Sequence, residues 1–347
     1  MATPTASSKR YYAAASVQAA NWGTANATGA NCGILLLGDS GLARNQKFEP
    51  YPAIDQIIPQ DGILGIQGAP EFTPPVHLQY EVGPIGSWLA ALYGTAGEPA
   101  NNANAYTHTF QWANSVDEFF TCAEERPGHI WEVPSAIPFK AVIKPDGAQI
   151  RAEIALRGNT LIDDSTVNNA AVMDAVTYIS RTNFLHLSQG EFRMNTQSGG
   201  ALGANDAIQI SDFEISIERA LDNVHAVGSV NIIQPVEGDI PNATLKITLP
   251  RASNTNLDYF STWEDMAAQK VTLSFTGSEI GSTGSNYSVT FYFPRLMLVS
   301  PPDVKLEGVM KNELVFTMQE ASSAPTGMNY ARPYIQVTNG TSTDYLA

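Results

Sequence analysis

The chain has 347 residues and a formal net charge of −15, and only 15% of its residues are charged. That length suits about two domains, and so few Lys and Arg leave no basic cluster for a specific grip on nucleic acid. No window approaches the roughly 20 apolar residues that span a bilayer, and Met1 to Arg10 lack the basic-then-apolar order of a secretion signal, so a soluble, unexported protein is expected.

Residues 1–30 are rich in Ala, Ser, Thr and Asn and read as an extended N-terminal arm with little core of its own. Between Gly38 and Gly68 the chain carries Pro50, Pro52 and Pro59 beside scattered apolar groups, among them Phe48, Tyr51, Ile57 and Ile63. A loop of that length with apolar content is usually a contact element, so these four residues are the candidate contact positions. From Val76 an alternating strand (Val76, Leu78, Tyr80, Val82) leads into a short helix from Ser87 to Tyr93, capped by Ser87, stopped by Gly94, and apolar along Trp88, Leu89 and Leu92. More strands follow, ending in Ile150, Ala152, Ile154 and Leu156. Residues 161–190 show no alternation until Phe184 and read as the connector.

The second half repeats that order. Ile208 and Ile210 are followed out of phase by Phe213, Ile215 and Ile217, which predicts a β-bulge at Ser211 and Asp212. Leu245, Ile247 and Leu249 then alternate into a helix from Asn256 to Ala267, with Phe260, Trp263 and Ala267 on one face, and strands ending in Leu314, Phe316 and Met318. The reading is therefore mainly β: two tandem β-sandwich domains, each with one short helix, divided as arm 1–30, first domain 31–165, connector 166–190 and second domain 191–347.

Candidate chemistry is sparse. Gly33-Ile-Leu-Leu-Leu-Gly-Asp-Ser-Gly-Leu42 resembles the Gly-Asp-Ser block of lipases and esterases, and Asp222-Asn-Val-His225 has the DxxH spacing of their acid–base pair. Ser40 would then be the nucleophile, His225 the base and Asp222 its orienting carboxylate. Those enzymes place DxxH near the chain end on a parallel sheet, whereas about a third of this chain, all strand-like, follows His225. His77, His108, His129, His186 and His225 have no ligand spacing, and Glu124, Glu125, Asp163 and Asp164 read as solvated pairs. Cys32 and Cys122 form no framework. No cofactor or metal is expected, and no enzymatic activity. Asn26, Asn242, Asn286 and Asn339 begin N-x-S/T triplets that follow from composition. Trp22, Trp112 and Trp131 are the candidate aromatics for an alternative function, a carbohydrate-binding or adhesin-like module.

Trp88-Leu-Ala-Ala-Leu-Tyr-Gly94, Tyr106-Thr-His-Thr-Phe110 and Gly147-Ala-Gln-Ile-Arg-Ala-Glu-Ile-Ala-Leu-Arg-Gly158 come in an order that resembles the major tail tube proteins of long-tailed bacteriophages. Ile210-Ser-Asp-Phe-Glu-Ile-Ser-Ile-Glu-Arg219, the strands Ala243 to Leu249 and Tyr287 to Pro294, and Ala324-Pro-Thr-Gly-Met328 continue the likeness. The resemblance implies a structural virion protein, assembled in the host cytoplasm, whose domains join edge to edge into stacked rings around a hollow lumen. A fused pair of tube domains implies homotrimeric rings with pseudo-sixfold symmetry. It implies partners among the tape measure, terminator and distal tail proteins, DNA passing without specific binding, and no membrane. The Gly38–Gly68 loop and its counterpart from Leu221 to Pro241 are the candidates for reaching the next ring, and the net charge leads to the expectation of an acidic lumen.

Overall fold

The computed structural model describes residues 11–18, 21–29, 32–37, 41–42, 46–50, 63–67, 69–126, 129–178, 182–225, 227, 229, 231–250, 259–307 and 309–346. Within them the first half holds strands β1 (Tyr11–Gln18), β2 (Gln46–Pro50), β3 (Ile63–Gln67), β4 (Glu71–Phe72) and β5 (Pro75–His77), then helix α1 (Gly83–Tyr93). It continues with β6 (Gly94–Thr95), β7 (Ala100–Asn102), β8 (Ala105–Trp112), β9 (Phe120–Arg126), β10 (His129–Asp146), β11 (Gln149–Gly158) and β12 (Ile162–Asp163). A connector carrying α2 (Ala170–Asp174) leads to β13 (Gly190–Thr196), β14 (Asp212–Glu218), β15 (Leu221–Asp222), β16 (Val236–Glu237) and β17 (Asn242–Leu249). The second half closes with α3 (Tyr259–Glu264), β18 (Gln269–Glu279), β19 (Asn286–Leu298), β20 (Asp303–Glu307), β21 (Val309–Gln319) and β22 (Tyr334–Asn339).

The protein is mainly β, and the ladders between its described strands are antiparallel. Eighteen of these strands share one barrel-like sheet system, while β2–β3 and β15–β16 stand apart as two-stranded hairpins. Period-2 alternation decides which face of each strand is buried. Ile150, Ala152, Ile154 and Leu156 of β11, Leu245 and Ile247 of β17, and Leu314 and Phe316 of β21 all turn into the core, as their spacing predicts.

The ladders of the two halves follow one order, and their register agrees along β19–β21 but is one residue off at β20–β21. Ala136 pairs with Gly158 in β10–β11, and Leu296 pairs with Met318 in β19–β21, each residue 160 positions further along (136 to 296, 158 to 318). The β9–β10 ladder slips between Val133 and Ala136, and the β18–β19 ladder slips at the corresponding Phe293 and Leu296. On the outer side of those hairpins β1 pairs with β9 as β13 pairs with β18, and β12 returns to β10 as β22 returns to β19. β4 and β5 pair with β11 as β17 pairs with β21. Ahead of these strands, the Leu37 amide donates to the Pro75 carbonyl at 2.9 Å, and the Ser211 amide donates to the Thr248 carbonyl at 2.8 Å.

Two ladders fuse the halves. Lys140–Ile143 of β10 pair with Ile215–Glu218 of β14, and β22 lies between β19 and β8 of the first half. Buried residues of both halves consequently form one continuous cluster, from Phe72 and Trp88 through Phe213 and Phe291 to Tyr345. The length led to the expectation of a separate core in each half; shared strands on two sides leave no boundary at which the apolar cluster divides.

Several local expectations are corrected. α1 begins at Gly83, not Ser87: Pro84 sits in its first turn, where a missing N–H costs nothing, and Ser87 is buried in mid-helix. Gly94 does end it, in the left-handed region at φ 98° with its N–H on the Ala90 carbonyl. Trp88, Leu89 and Leu92 do not form one apolar stripe, because Pro84 to Tyr93 are buried all round. In α3, Phe260 is exposed while Trp263 packs on the core, and Asn256 lies outside the described residues. No bulge occurs at Ser211 and Asp212. The Ile208 amide still bonds the Phe192 carbonyl beside β13, and the chain then joins β17 in unbroken register, so the change of phase marks a change of partner strand. In the described part of the connector the Asn169 side chain caps α2 and the Leu185 amide donates to the Leu78 carbonyl at 2.9 Å.

Candidate functional site

Strands β5, β11, β10, β14, β17 and β21 run side by side across both halves, so the face opposite their core is one continuous surface. Cross-strand partners share a face, and the ladders place Arg151 beside His77 and Lys144, Lys140 beside Glu218, and Glu214 beside Lys246. Between them lie small neutral groups: Val142, Ser216, Thr244 and Thr317.

Each Lys and Arg named on this face has a carboxylate from the same or an adjacent strand within 4.0 Å. Lys140 Nζ lies 2.7 Å from Glu218 Oε2 across the junction of the halves, and Lys246 Nζ lies 3.2 Å from Glu313 Oε2. Arg151 Nη2 is 2.8 Å from Glu153 Oε1 and its Nη1 is 4.0 Å from Asp146 Oδ2; Lys144 Nζ is 3.8 Å from the same Glu153 oxygen. His77 Nε2 is 3.4 Å from Asp146 Oδ2. Glu214 and Asp212 of β14 lie on the same side of the sheet, so the face carries carboxylates beyond those in these pairs. The sequence carries the signal as Lys140-Ala-Val-Ile-Lys144 and Arg151-Ala-Glu153, where charged residues recur on one side of the strand, but the partners come from strands far apart in the chain.

Strand edges form the second feature. The outer edge of β10 at Lys140–Ile143 is filled by β14. β20 pairs with β21 as the C-terminal part of β10 pairs with β11, and among the described residues β21 is its one ladder partner. The third feature is the pair of two-stranded hairpins outside the main sheet system. Phe48 lies in β2 opposite Gly65, and Ile63 lies in β3 opposite Pro50, so these predicted contact positions sit on one hairpin; Tyr51 and Ile57 lie outside the described residues. At the matching place in the second half, Val224, Val227, Ile233, Val236 and Ile240 are exposed around the β15–β16 hairpin.

The residues considered for other chemistry are scattered. Ser40 lies outside the described residues. Asp222 is in β15, His225 bridges Ile232 in the following loop, and no hydrogen bond joins the two among the described residues. His108 is buried, with Nε2–H donating to the Thr341 carbonyl at 2.9 Å and its ring 4.6 Å from that of Tyr345; burial pulls its pKa down. Glu124, read as solvated, is fully buried: it accepts from the Leu42 amide at 2.6 Å and pairs with Arg126 at 3.0 Å. Cys32 and Cys122 are buried free thiols. Spacing did not bring His129 to Asp163 and Asp164, but the β10–β12 ladder does, at 3.3 and 3.5 Å on the exposed surface.

The three tryptophans do not form a binding platform. Trp22 stands edge-on to Phe119 and donates to the Ile232 carbonyl; Trp131 lies under Arg126, and Trp112 lies between Tyr93 and Arg219. Among the described residues two wider clefts occur, one at the junction lined by Trp112, Arg219, Met318 and Arg332, the other lined by Ile208, Ile210, Phe213 and Phe275 with Glu191 and Gln209. Neither groups a hydroxyl or thiol with a histidine. No helix among the described residues is long and apolar enough to cross a membrane. No protein-family model matches the chain, and a search of characterised proteins returns no match.

Proposed function

We propose that the protein is a structural, self-assembling virion component whose copies join into stacked rings, forming a hollow tail tube through which phage DNA passes. The observation that carries this reading is the relation between β10 and β20. One edge joins the first half to the second by strand pairing, and the equivalent edge at the end of the second half has no partner strand among the described residues. An open strand edge is a template for another chain, and proteins that do not use one usually block it. A second copy added at β20 in the manner of the β10–β14 junction repeats the junction between halves, and a head-to-tail contact of that kind closes a ring when the rotation allows. Two similar units per chain make three copies the natural closure for six positions.

The hairpins outside the main sheet system fit the same reading. Exposed apolar groups concentrated at one loop mark a contact surface. Tandem tube domains, virion localisation and the absence of enzymatic activity are parts of this proposal. Negative-stain electron microscopy of the concentrated protein, with its solution mass, is the test. Rings or tubes built from trimers support it, and a protein that stays monomeric at every concentration and with tail partners present sinks it.

A further inference from the structure

We propose that Lys270 and Asn195 join in an intramolecular isopeptide bond: the Lys270 amine is acylated by the Asn195 carboxamide, ammonia leaves, and Asp206 carries the proton between the two nitrogens. This covalent modification belongs to the second half of the chain and does not depend on the tube reading.

The three side chains converge on one spot. Asn195 of β13 and Lys270 of β18 are direct partners in an antiparallel ladder, and such partners share a face with Cβ atoms about 4.5–5.5 Å apart. Val271 and Leu273 point to the core, so Lys270 stands on the other face, yet it is fully buried. Two loops cover it. Lys270 Nζ donates to the Gly199 carbonyl at 2.8 Å and to the Thr326 carbonyl at 3.0 Å, and a Cβ on Gly327 would come within 2.7 Å of Ala201. The carboxamide meets the same loop, since a Cβ on Gly199 would lie 3.1 Å from Asn195 Oδ1. Asn195 Nδ2 donates to Asp206 Oδ1 at 2.8 Å, and Asn195 Oδ1 accepts from the Thr196 amide at 2.7 Å. Lysine is rarely buried completely, and the fold does not require one here. Phe293 pairs with Val271 as Val133 pairs with Cys122, so the place of Lys270 is taken in the first half by Thr121, a buried neutral residue.

The arrangement supplies each part of an acyl transfer. An amine attacks only when neutral, and burial lowers the Lys270 pKa while the charge of Asp206 opposes the shift. A neutral amine has two N–H groups and one lone pair. The Gly199 and Thr326 carbonyls take both N–H groups, which leaves the lone pair for Asn195 Cγ. Attack forms the Nζ–Cγ bond and puts negative charge on Oδ1, where the Thr196 amide already donates. Asp206 takes a proton from Nζ and gives it to Nδ2, its present hydrogen-bond partner. The Cγ–Nδ2 bond then breaks and ammonia departs, with no oxidant or cofactor consumed. The product amide keeps one N–H for a loop carbonyl and ties β13 to β18 covalently.

The test is the mass of the purified full-length protein under denaturing conditions, followed by tryptic mapping. Wild type is expected to weigh about 17 Da less than its sequence, the mass of one ammonia. Trypsin is expected to leave Lys270 uncut and to release a branched peptide joining residues 194–219 to residues 252–295. Lys270→Arg and Asn195→Ala are expected to show the full sequence mass, and Asp206→Asn to accumulate the unlinked chain. Wild type at its full sequence mass overturns the proposal, and so does the mass loss with Lys270 still cut, which marks cyclisation of an asparagine instead. An Asp206→Asn protein linked as completely as wild type overturns the role of that carboxylate. The wild-type reading needs no variant to fold.

Discussion

Arg219, from the second half, holds the C-terminal end of helix α1 in the first: its Nε donates to the Leu92 carbonyl at 3.1 Å and its Nη2 to the Tyr93 carbonyl at 2.9 Å. The guanidinium is 1% exposed, stacks on Trp112 at 4.1 Å and pairs with Glu237 at 3.2 Å, and its Nη1 also donates to the Ala113 carbonyl. Orphan carbonyls at a helix end want cations, and planar, always-charged Arg can serve several carbonyls and a carboxylate at once. Replacing it by Ala strands Glu237 and those carbonyls away from water. Arg219→Ala is expected to cost about 3–5 kcal/mol, read as a lower urea midpoint, and Arg219→Lys to recover only part of it.

Lys270 does a similar job for the loop at Ala324–Met328. It is fully buried, and its Nζ donates to the Gly199 carbonyl at 2.8 Å and the Thr326 carbonyl at 3.0 Å. Lys270→Met keeps the stem packed and leaves both carbonyls unsatisfied, at about 1–3 kcal/mol each. Hydrogen exchange at Gly327 and Met328 is expected to accelerate well beyond the rest of the protein; unchanged protection there excludes the anchoring role.

Strand pairing at β20 is tested with proline. Successive residues of a strand direct their N–H groups to opposite sides, so Val304→Pro and Lys305→Pro remove one donor facing β21 in one variant and one facing outward in the other. The outward variant is expected to melt like wild type and to form no rings. Normal assembly by both variants refutes β20 as the joining edge.

Removal of residues 45–60, which takes away β2 and the predicted contact positions Phe48, Tyr51 and Ile57, is expected to leave rings that do not stack. Ser40→Ala and His225→Ala are expected to leave assembly and melting temperature within the scatter of wild type. Long tubes from the deletion variant end the hairpin assignment, and loss of an esterase activity in either point variant revives the hydrolase.

His108 makes the stability depend on pH. Burial holds its folded pKa below the ordinary value of 6.5, so below about pH 6.5 the unfolded chain binds the proton first and stability falls as pH falls. Burial raises the pKa values of Glu118 and Glu125, which acts in the opposite sense at lower pH, so the histidine is isolated by difference. The drop in melting temperature of wild type between neutral pH and about pH 5.5 is expected to exceed that of His108→Phe; equal drops would rule the residue out.

The alternation in β11, β17 and β21 was legible because a residue's side of a strand depends on its own position in the chain, and period 2 survives whatever the partner. The stop at Gly94 was legible for the same local reason, since only glycine takes that φ cheaply. Features set by spatial neighbours were hidden. Ser87 has the chemistry of a cap, yet Pro84 and the burial of the whole helix moved its start to Gly83. The break in phase at Ser211 looked like a bulge because one chain cannot show that it changes partner. Glu124 looked solvated because its neutralising Arg126 and the Leu42 amide meet only in the fold. The sequence by itself determined a β-rich chain with a repeated order of elements and a scarcity of basic residues. Tertiary structure alone decided that corresponding strands of the halves take corresponding partners, that the halves share a core through β10–β14 and β8–β22, and that the scarce cations meet carboxylates across strands. Ladders and ion pairs are contacts between distant residues, and no local period encodes them.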